Sequence, residues 1–158
     1  MRIAVGGDHA GFPLKGTVIA ALEKMGHEVI DFGSYDDSPV DFPDITRTVS
    51  AAVLSGQVER AVMVCGTGVG ACIAANKIPG IRASVCHDIY SAHQCVEHDD
   101  VNVMCVGAQI IGPVLVVELL ESFLKAEFST EEEFRRRVEK LHEMERQSVL
   151  LNQAAASE

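Results

Sequence analysis

The chain has 158 residues, enough for one ordinary core and too few for two large domains. Apolar residues make up 47% of it, which excludes a disordered chain, and no apolar run is long enough to cross a bilayer: Val114-Leu115-Val116-Val117 stops at Glu118. Thirteen Lys and Arg against 23 Asp and Glu give a formal charge of -10, which repels nucleic acid and anionic membranes, so an anionic ligand must be held by a few local cations.

In chain order, Ile3-Ala4-Val5-Gly6 reads as a first strand and Gly7-Asp8-His9-Ala10-Gly11 as the loop that leaves it. A helix follows, with Pro13 in its first turn, Leu14, Val18, Leu22 and Met25 at helical spacing, and Gly26 as its stop. His27 to Phe32 is a second strand. Gly33 to Asp44 is polar and turn-rich and reads as a surface loop. Ile45, Val49, Ala52 and Val53 mark a helix that ends at Gly56. A third strand, 61 to 65, runs into a glycine turn and a small-residue helix to Lys77. A fourth strand covers 81 to 86, a short helix Asp88 to Val96, and a fifth strand 103 to 106. Helix 113 to 125 is strongly apolar. Helix 131 to about 147 carries Phe134, Val138 and Leu141 on one stripe, and Asn152 to Glu158 reads as a frayed tail.

Strands alternating with helices predict a single doubly wound, Rossmann-like α/β domain with three layers and a five-stranded parallel sheet, over residues 1–147, with 148–158 as a tail. In such a sheet the ligand lies outside the C-terminal strand ends. That rule gathers Asp8 and His9 after strand one, Cys65 to Gly70 after strand three, and His87 and Asp88 after strand four. His98 precedes strand five, so its loop has to fold back to join them. The five cysteines include no C-x-x-C pair and are odd in number, which argues against a disulfide framework and a zinc ribbon. The first residues pass at once into a strand-like run, so no signal peptide is expected and the cytoplasm is the expected location.

The stretch Ala61-Val62-Met63-Val64-Cys65-Gly66-Thr67-Gly68-Val69-Gly70 carries the chemistry. Its glycines let the backbone bend and approach a ligand, and free N–H groups at a helix start favour negative charge, either on an anion or on a thiolate at Cys65. A tight turn over a space-filling cysteine fits the same residues. The spacing is neither G-x-x-x-x-G-K-[ST] nor G-x-G-x-x-G, so a Walker site or a dinucleotide fingerprint is not expected. Asp8 fits a carboxylate orienting a sugar hydroxyl, or a cap of the next helix; His98 fits a general acid, or a solvated corner. His93 and His98 are five apart, off one helix face, so no metal is expected. Arg135-Arg136-Arg137 is the dense positive patch of an acidic chain, either a solvated face or a phosphate contact.

Taken in order, Asp8-His9-Ala10-Gly11-Phe12, Asp41-Phe42-Pro43-Asp44, Cys65-Gly66-Thr67-Gly68-Val69-Gly70, Ala74-Ala75-Asn76-Lys77, Gly80-Ile81-Arg82-Ala83, and Glu97-His98-Asp99 through Asn102-Val103 resemble the ribose-5-phosphate isomerase B and galactose-6-phosphate isomerase family. The resemblance implies a cofactor-free aldose–ketose isomerase of ribose 5-phosphate or a close analogue, working through a cis-enediolate. It implies Cys65 as the base between C1 and C2, with Thr67 and the amides of Gly66, Gly68, Val69 and Gly70 holding the oxyanion. It further implies His98, helped by Asp8, as the acid that opens the sugar ring, and His9 and Arg137 as phosphate contacts. Family members are dimers or dimers of dimers whose sites are completed by the partner, with the C-terminal helix reaching across.

The departures from the family pattern cluster. Asp99 stands where Asn is usual, Gln109 where an arginine is common, Glu133 in place of the first of two arginines four apart, and Phe42 where a tyrosine is frequent. Each removes a donor or adds negative charge where Asp99, Gln109 and Arg137 would meet the distal end of the sugar. They leave open another sugar phosphate, such as a tetrose 4-phosphate or allose or galactose 6-phosphate, or a non-catalytic metabolite- or nucleotide-binding module.

Overall fold

Strand β1 (Arg2–Gly7) alternates its side chains between two apolar layers, and this alternation organises everything built on it. The structure is a computed structural model and describes residues 1–155. After β1 come α1 (Phe12–Lys24), β2 (Glu28–Asp31), α2 (Phe42–Leu54), β3 (Arg60–Cys65), α3 (Val69–Ala75) and β4 (Ala83–Val85). Then follow α4 (Ile89–Asp99), β5 (Val103–Gly107), α5 (Pro113–Lys125) and α6 (Glu132–Ala155). The five strands form one all-parallel sheet in the order β2-β1-β3-β5-β4. Ile3, Val5, Val62, Val64, Met104 and Val106 pack on α1, α4 and α5, where Phe123 is fully buried. Ala4, Ala61, Met63, Cys65, Val103 and Cys105 face the other way, onto α2 and α3. The result is the expected three-layer α/β domain. Among the described residues, no helix is long and apolar enough to cross a membrane.

The strand order reverses between β1 and β3, so the crevice outside their C-terminal ends is the topological switch point of the sheet. Asp8 leaves β1 there and Cys65 ends β3 there. The helix that leaves β1 must start almost on top of β3. Gly11 makes this possible: a Cβ there would lie 1.8 Å from the Val64 carbonyl oxygen. Arg60 donates to the Ala126 carbonyl at 2.8 Å and to the Phe123 carbonyl, tying the carbonyls left free at the end of α5 to the start of β3.

Four elements differ from the sequence reading by three residues or more in all, the others by at most two. Helix α2 starts at Phe42 rather than near Ile45, because Pro43 suits the first helical turn and Asp41 turns the chain ahead of it. Strand β4 keeps only three residues, since it is an edge strand paired on one side. Helix α4 does not end near Val96 but continues to Asp99, stopped by Asp100 in the left-handed region at φ 51°. Helix α6 does not stop at 147, and the tail expected from 148 is helical to Ala155; residues 156–158 of that expected tail lie outside the described residues. On its own chain α6 is anchored by buried Val138 and by Glu145, whose carboxylate accepts from the Gly80 amide at 3.0 Å.

Gly11→Ala is expected to destabilise the fold by about 3 kcal/mol through overpacking against a backbone that cannot yield. Urea unfolding reads this as a lower midpoint at unchanged slope, and an unchanged midpoint would contradict the close packing of α1 on β3.

Candidate active site

Cys65 is 8% exposed, at the end of the apolar layer under α2 and α3, with the Asp8 carboxylate and the Thr67 and Gly68 amides against its sulfur. Its thiol donates to Oδ2 of the buried Asp8 at 2.9 Å, while Oδ1 of the same carboxylate accepts from the Gly11 amide at 2.8 Å. Of the two roles open in the sequence, the helix cap is not formed: one Asp8 oxygen accepts from the amide of Gly11 in the turn ahead of α1, and the other meets the sulfur, a contact the sequence did not suggest. The expectation of a thiol pKa lowered at a helix start is corrected by this arrangement. Burial pushes the Cys65 thiol up, and the hydrogen bond and negative charge of Asp8 push it further. The amides of Gly68 and Thr67 favour the thiolate but are outweighed. The helix that follows, α3, has only seven residues, so its dipole adds little.

The turn after Cys65 is shaped by its glycines. Gly68 adopts φ 79°, which reverses the chain into α3. Thr67 is exposed, and its Oγ1 accepts from the Val69 amide at 3.4 Å. The Gly70 backbone runs under the Phe42 ring, where a Cβ would meet Cζ at 2.9 Å. On the other side the exit of β5 is bonded to the turn: the Ala108 amide donates to the Cys65 carbonyl at 2.8 Å and the Gln109 amide to the Gly66 carbonyl at 3.0 Å. The Gln109 side chain lies over Gly66. Exposed His9 accepts from the Val40 amide through Nδ1 at 3.3 Å, which fixes its tautomer with the proton on Nε2. Asp8, His9, residues 65–70 and Gln109 thus form one cluster.

His98, Asp99 and Arg137 do not join it. Because α4 continues through His98, the expected fold-back of its loop does not occur, and the histidine sits at the opposite end of the sheet. The five residues of β5 alone separate the two ends by about 13 Å. There the His98 ring stacks on Phe134 of α6 with centroids 4.0 Å apart, and the Arg137 guanidinium covers the other part of that ring at 5.5 Å. Arg137 also lies 3.8 Å from Glu133, so part of its charge is answered within the helix. Asp99 is exposed beside them. Next to the glycine turn, a groove of about 410 Å³ opens between α2 and α3, lined by Phe42, Arg47, Gly70, Ile73 and Lys77, and it does not include Cys65. Among the described residues no group of three or more metal-ligating side chains converges.

The family description Ribose/Galactose Isomerase matches residues 3–141. The chain belongs to that family. It is 43% identical over 129 residues to ribose-5-P isomerase B of Listeria innocua, covering 82% of this chain and 87% of the relative. It is 41% identical over 131 residues to D-erythrulose-4-phosphate isomerase of Pectobacterium atrosepticum, covering 81% and 85%. The crystallised ribose-5-phosphate isomerase B of Clostridium thermocellum superposes with a TM-score of 0.91 at 42% identity, over 94% of this chain and 99% of that one. Like these relatives, the chain is an aldose–ketose isomerase.

Sequence reasoning passed over two members of the clusters: Phe134, read only as part of an apolar stripe, and Cys72. The Cys72 thiol is half-buried and brought down to about 7, chiefly by a hydrogen bond from Cys105. Limited alkylation with iodoacetamide at pH 7 is therefore expected to modify Cys72 before Cys65, because only the thiolate reacts. Asp8→Asn removes a charge that holds the Cys65 thiol up, so labelling of Cys65 at alkaline pH should speed up. Peptide mass spectrometry reads both, and Cys65 reacting first in the unmodified chain would contradict the raised thiol.

Proposed function

We propose that the chain interconverts an aldose phosphate and its ketose, with ribose 5-phosphate and ribulose 5-phosphate or a close analogue as the pair, by proton transfer at Cys65. The observation that carries this reading is the Cys65 thiol held 2.9 Å from a buried carboxylate and faced by the Thr67 and Gly68 amides. Asp8 is the acceptor that draws off the thiol proton. The sulfur then takes the proton from the sugar carbon next to the carbonyl and returns it to the neighbouring carbon. Between those steps the charge lies on enediolate oxygens. In this reading the amides of residues 66–70 and the Thr67 hydroxyl stabilise charge present only along the reaction path. The reaction so drawn uses side chains and main-chain amides and calls on no cofactor.

His98, Asp99 and Arg137 enter this scheme through a second copy. We place them in the site of the partner in a homodimer or dimer of dimers, where His98 opens the sugar ring and Arg137, with His9 from the first copy, meets the phosphate. What supports it is their placement at the far end of the sheet from Cys65, with Asp99 and Arg137 exposed and His98 partly so. A two-fold interface can bring such ends together reciprocally.

A second reading keeps the chemistry and changes the sugar. Glu133 beside Arg137, and an uncharged Gln109 over Gly66, leave the distal end with less positive charge than two further arginines would give. Losing one charge-assisted hydrogen bond to phosphate costs about 1.5 to 3 kcal/mol. A shorter sugar, such as a tetrose 4-phosphate, would place its phosphate differently against these residues, and the Pectobacterium relative carries such a name.

Cys65→Ala is expected to lower kcat by about a thousandfold while leaving the fold intact. His98→Asn is expected to lose activity on ring forms more than on open-chain substrate. Mixing the two inactive variants under conditions that exchange subunits should restore about a quarter of wild-type activity, because half of the randomly paired dimers carry one intact site. No recovery from a mixture shown to have exchanged would contradict the shared site. A coupled assay over four-, five- and six-carbon aldose phosphates assigns the sugar, and the largest kcat/KM on a tetrose 4-phosphate would favour the second reading.

A further inference from the structure

The end of β5 is held on both sides, and one of the two holds is a histidine that the proposed reaction does not use. On the β3 side, the amides of Ala108 and Gln109 donate to the carbonyls of Cys65 and Gly66. On the other side, Gly107 shares the parity of Cys105, whose carbonyl accepts from the Cys86 amide, so its N–H points towards β4. Strand β4 has ended at Val85. The Gly107 amide instead donates to Nε2 of the half-buried His87 at 3.0 Å, the imidazole nitrogen standing where a strand carbonyl would have been.

Gly107 is in direct contact with the glycine turn. A Cβ on it would lie 2.7 Å from Cα and the carbonyl carbon of Thr67 and 2.9 Å from the Gly66 oxygen, and one on Gly68 would lie 3.1 Å from the Val106 carbonyl carbon. The turn rests on the strand end, so a shift of Gly107 is a shift of the Thr67 and Gly68 amides. Nε2 can accept only when it carries no proton; a proton there would set two N–H donors against each other.

We infer that His87 is a positioning residue of this enzyme: as a neutral imidazole accepting from Gly107, it fixes the exit of β5 and thereby the amide turn at Cys65. The inference rests on the reading of residues 66–70 as the cradle of the enediolate. The surroundings favour the neutral ring, since burial lowers its pKa from the ordinary 6.5 and the neighbouring Asp88 only partly offsets this. Asp88 is itself engaged as the cap of α4, accepting from the Ser91 amide at 2.7 Å and hydroxyl at 2.6 Å. Of the other elements around the ring, the start of α4 brings Tyr90, the β3 turn brings Cys65, and residues 107–117 bring no ionisable side chain. Asp8 and His9 lie beyond β3.

The test compares His87→Ala and His87→Gln in the full-length enzyme. Gln keeps an acceptor oxygen and cannot titrate. His87→Ala is expected to lower kcat by about tenfold to a hundredfold with KM little changed, as displaced catalytic groups do. The Gly107 amide, followed by hydrogen exchange, should lose protection in the same variant. His87→Gln should restore most of kcat and Gly107 protection, and should abolish the fall in kcat expected of the wild type below pH 6.5, where His87 would take up a proton. Wild-type kcat in His87→Ala, or an acid limb unchanged in His87→Gln, would overturn the inference. Turnover surviving in Cys65→Ala would instead overturn the reading of the turn, while Gly107 protection would still report whether His87 holds the strand.

Discussion

A thiol and a carboxylate meet where two neighbouring parallel strands end, and the rest of the site follows from that contact. Asp8 leaves β1, Cys65 ends β3, and the sheet places these ends side by side because the chain reverses its winding direction between them. The 2.9 Å bond between them sets the resting state of the sulfur. A buried thiol beside an acidic group stays protonated, so the nucleophilic or basic form has to arise as the proton moves to the carboxylate. The backbone amides nearby are too few to reverse that balance at rest. In the proposed reaction their contribution would grow as negative charge develops on substrate oxygens.

The helices divide the remaining work by end. Helices α1 and α3 begin at the crevice, with Gly11 and Gly68 allowing each to start close to a strand. Helix α4 runs back and delivers His98 to the far end, where Phe134 of α6 supports its ring. Stacking fixes the imidazole plane against Phe134. The same surface carries Arg137, half answered by Glu133. The unusual residues of this chain divide in the same way: Gln109 and Phe42 lie against the glycine turn, Glu133 and Asp99 beside Arg137 and His98.

Most of the fold was legible in the sequence because its signals are local. Short apolar runs closed by glycine marked β1, β3 and β5, and α5 was readable end to end from Pro113 to Lys125. Boundaries went astray where a neighbour decides them: β4 is short because nothing pairs its outer edge, and α6 persists past 147 although Leu150 and Leu151 are exposed. The crevice residues were legible from the strand-end rule. The protonation of Cys65 was not, because it depends on a carboxylate 57 residues away in sequence, and the position of His98 was not, because it turns on whether α4 ends before or after it. His87 was noticed among the strand-end residues, but its bond to Gly107 depends on where β4 stops.

The central claim is that one sulfur carries the proton between two sugar carbons. Running the isomerisation in deuterium oxide and following the label in substrate and product by NMR tests this most directly. The account predicts deuterium at the carbon beside the carbonyl in the wild type, entering as the proton on the sulfur exchanges with solvent before its return, and an incorporation that falls with turnover in Cys65→Ala. Exchange at the wild-type rate in that variant would contradict it, since the proton would then be moving through another group.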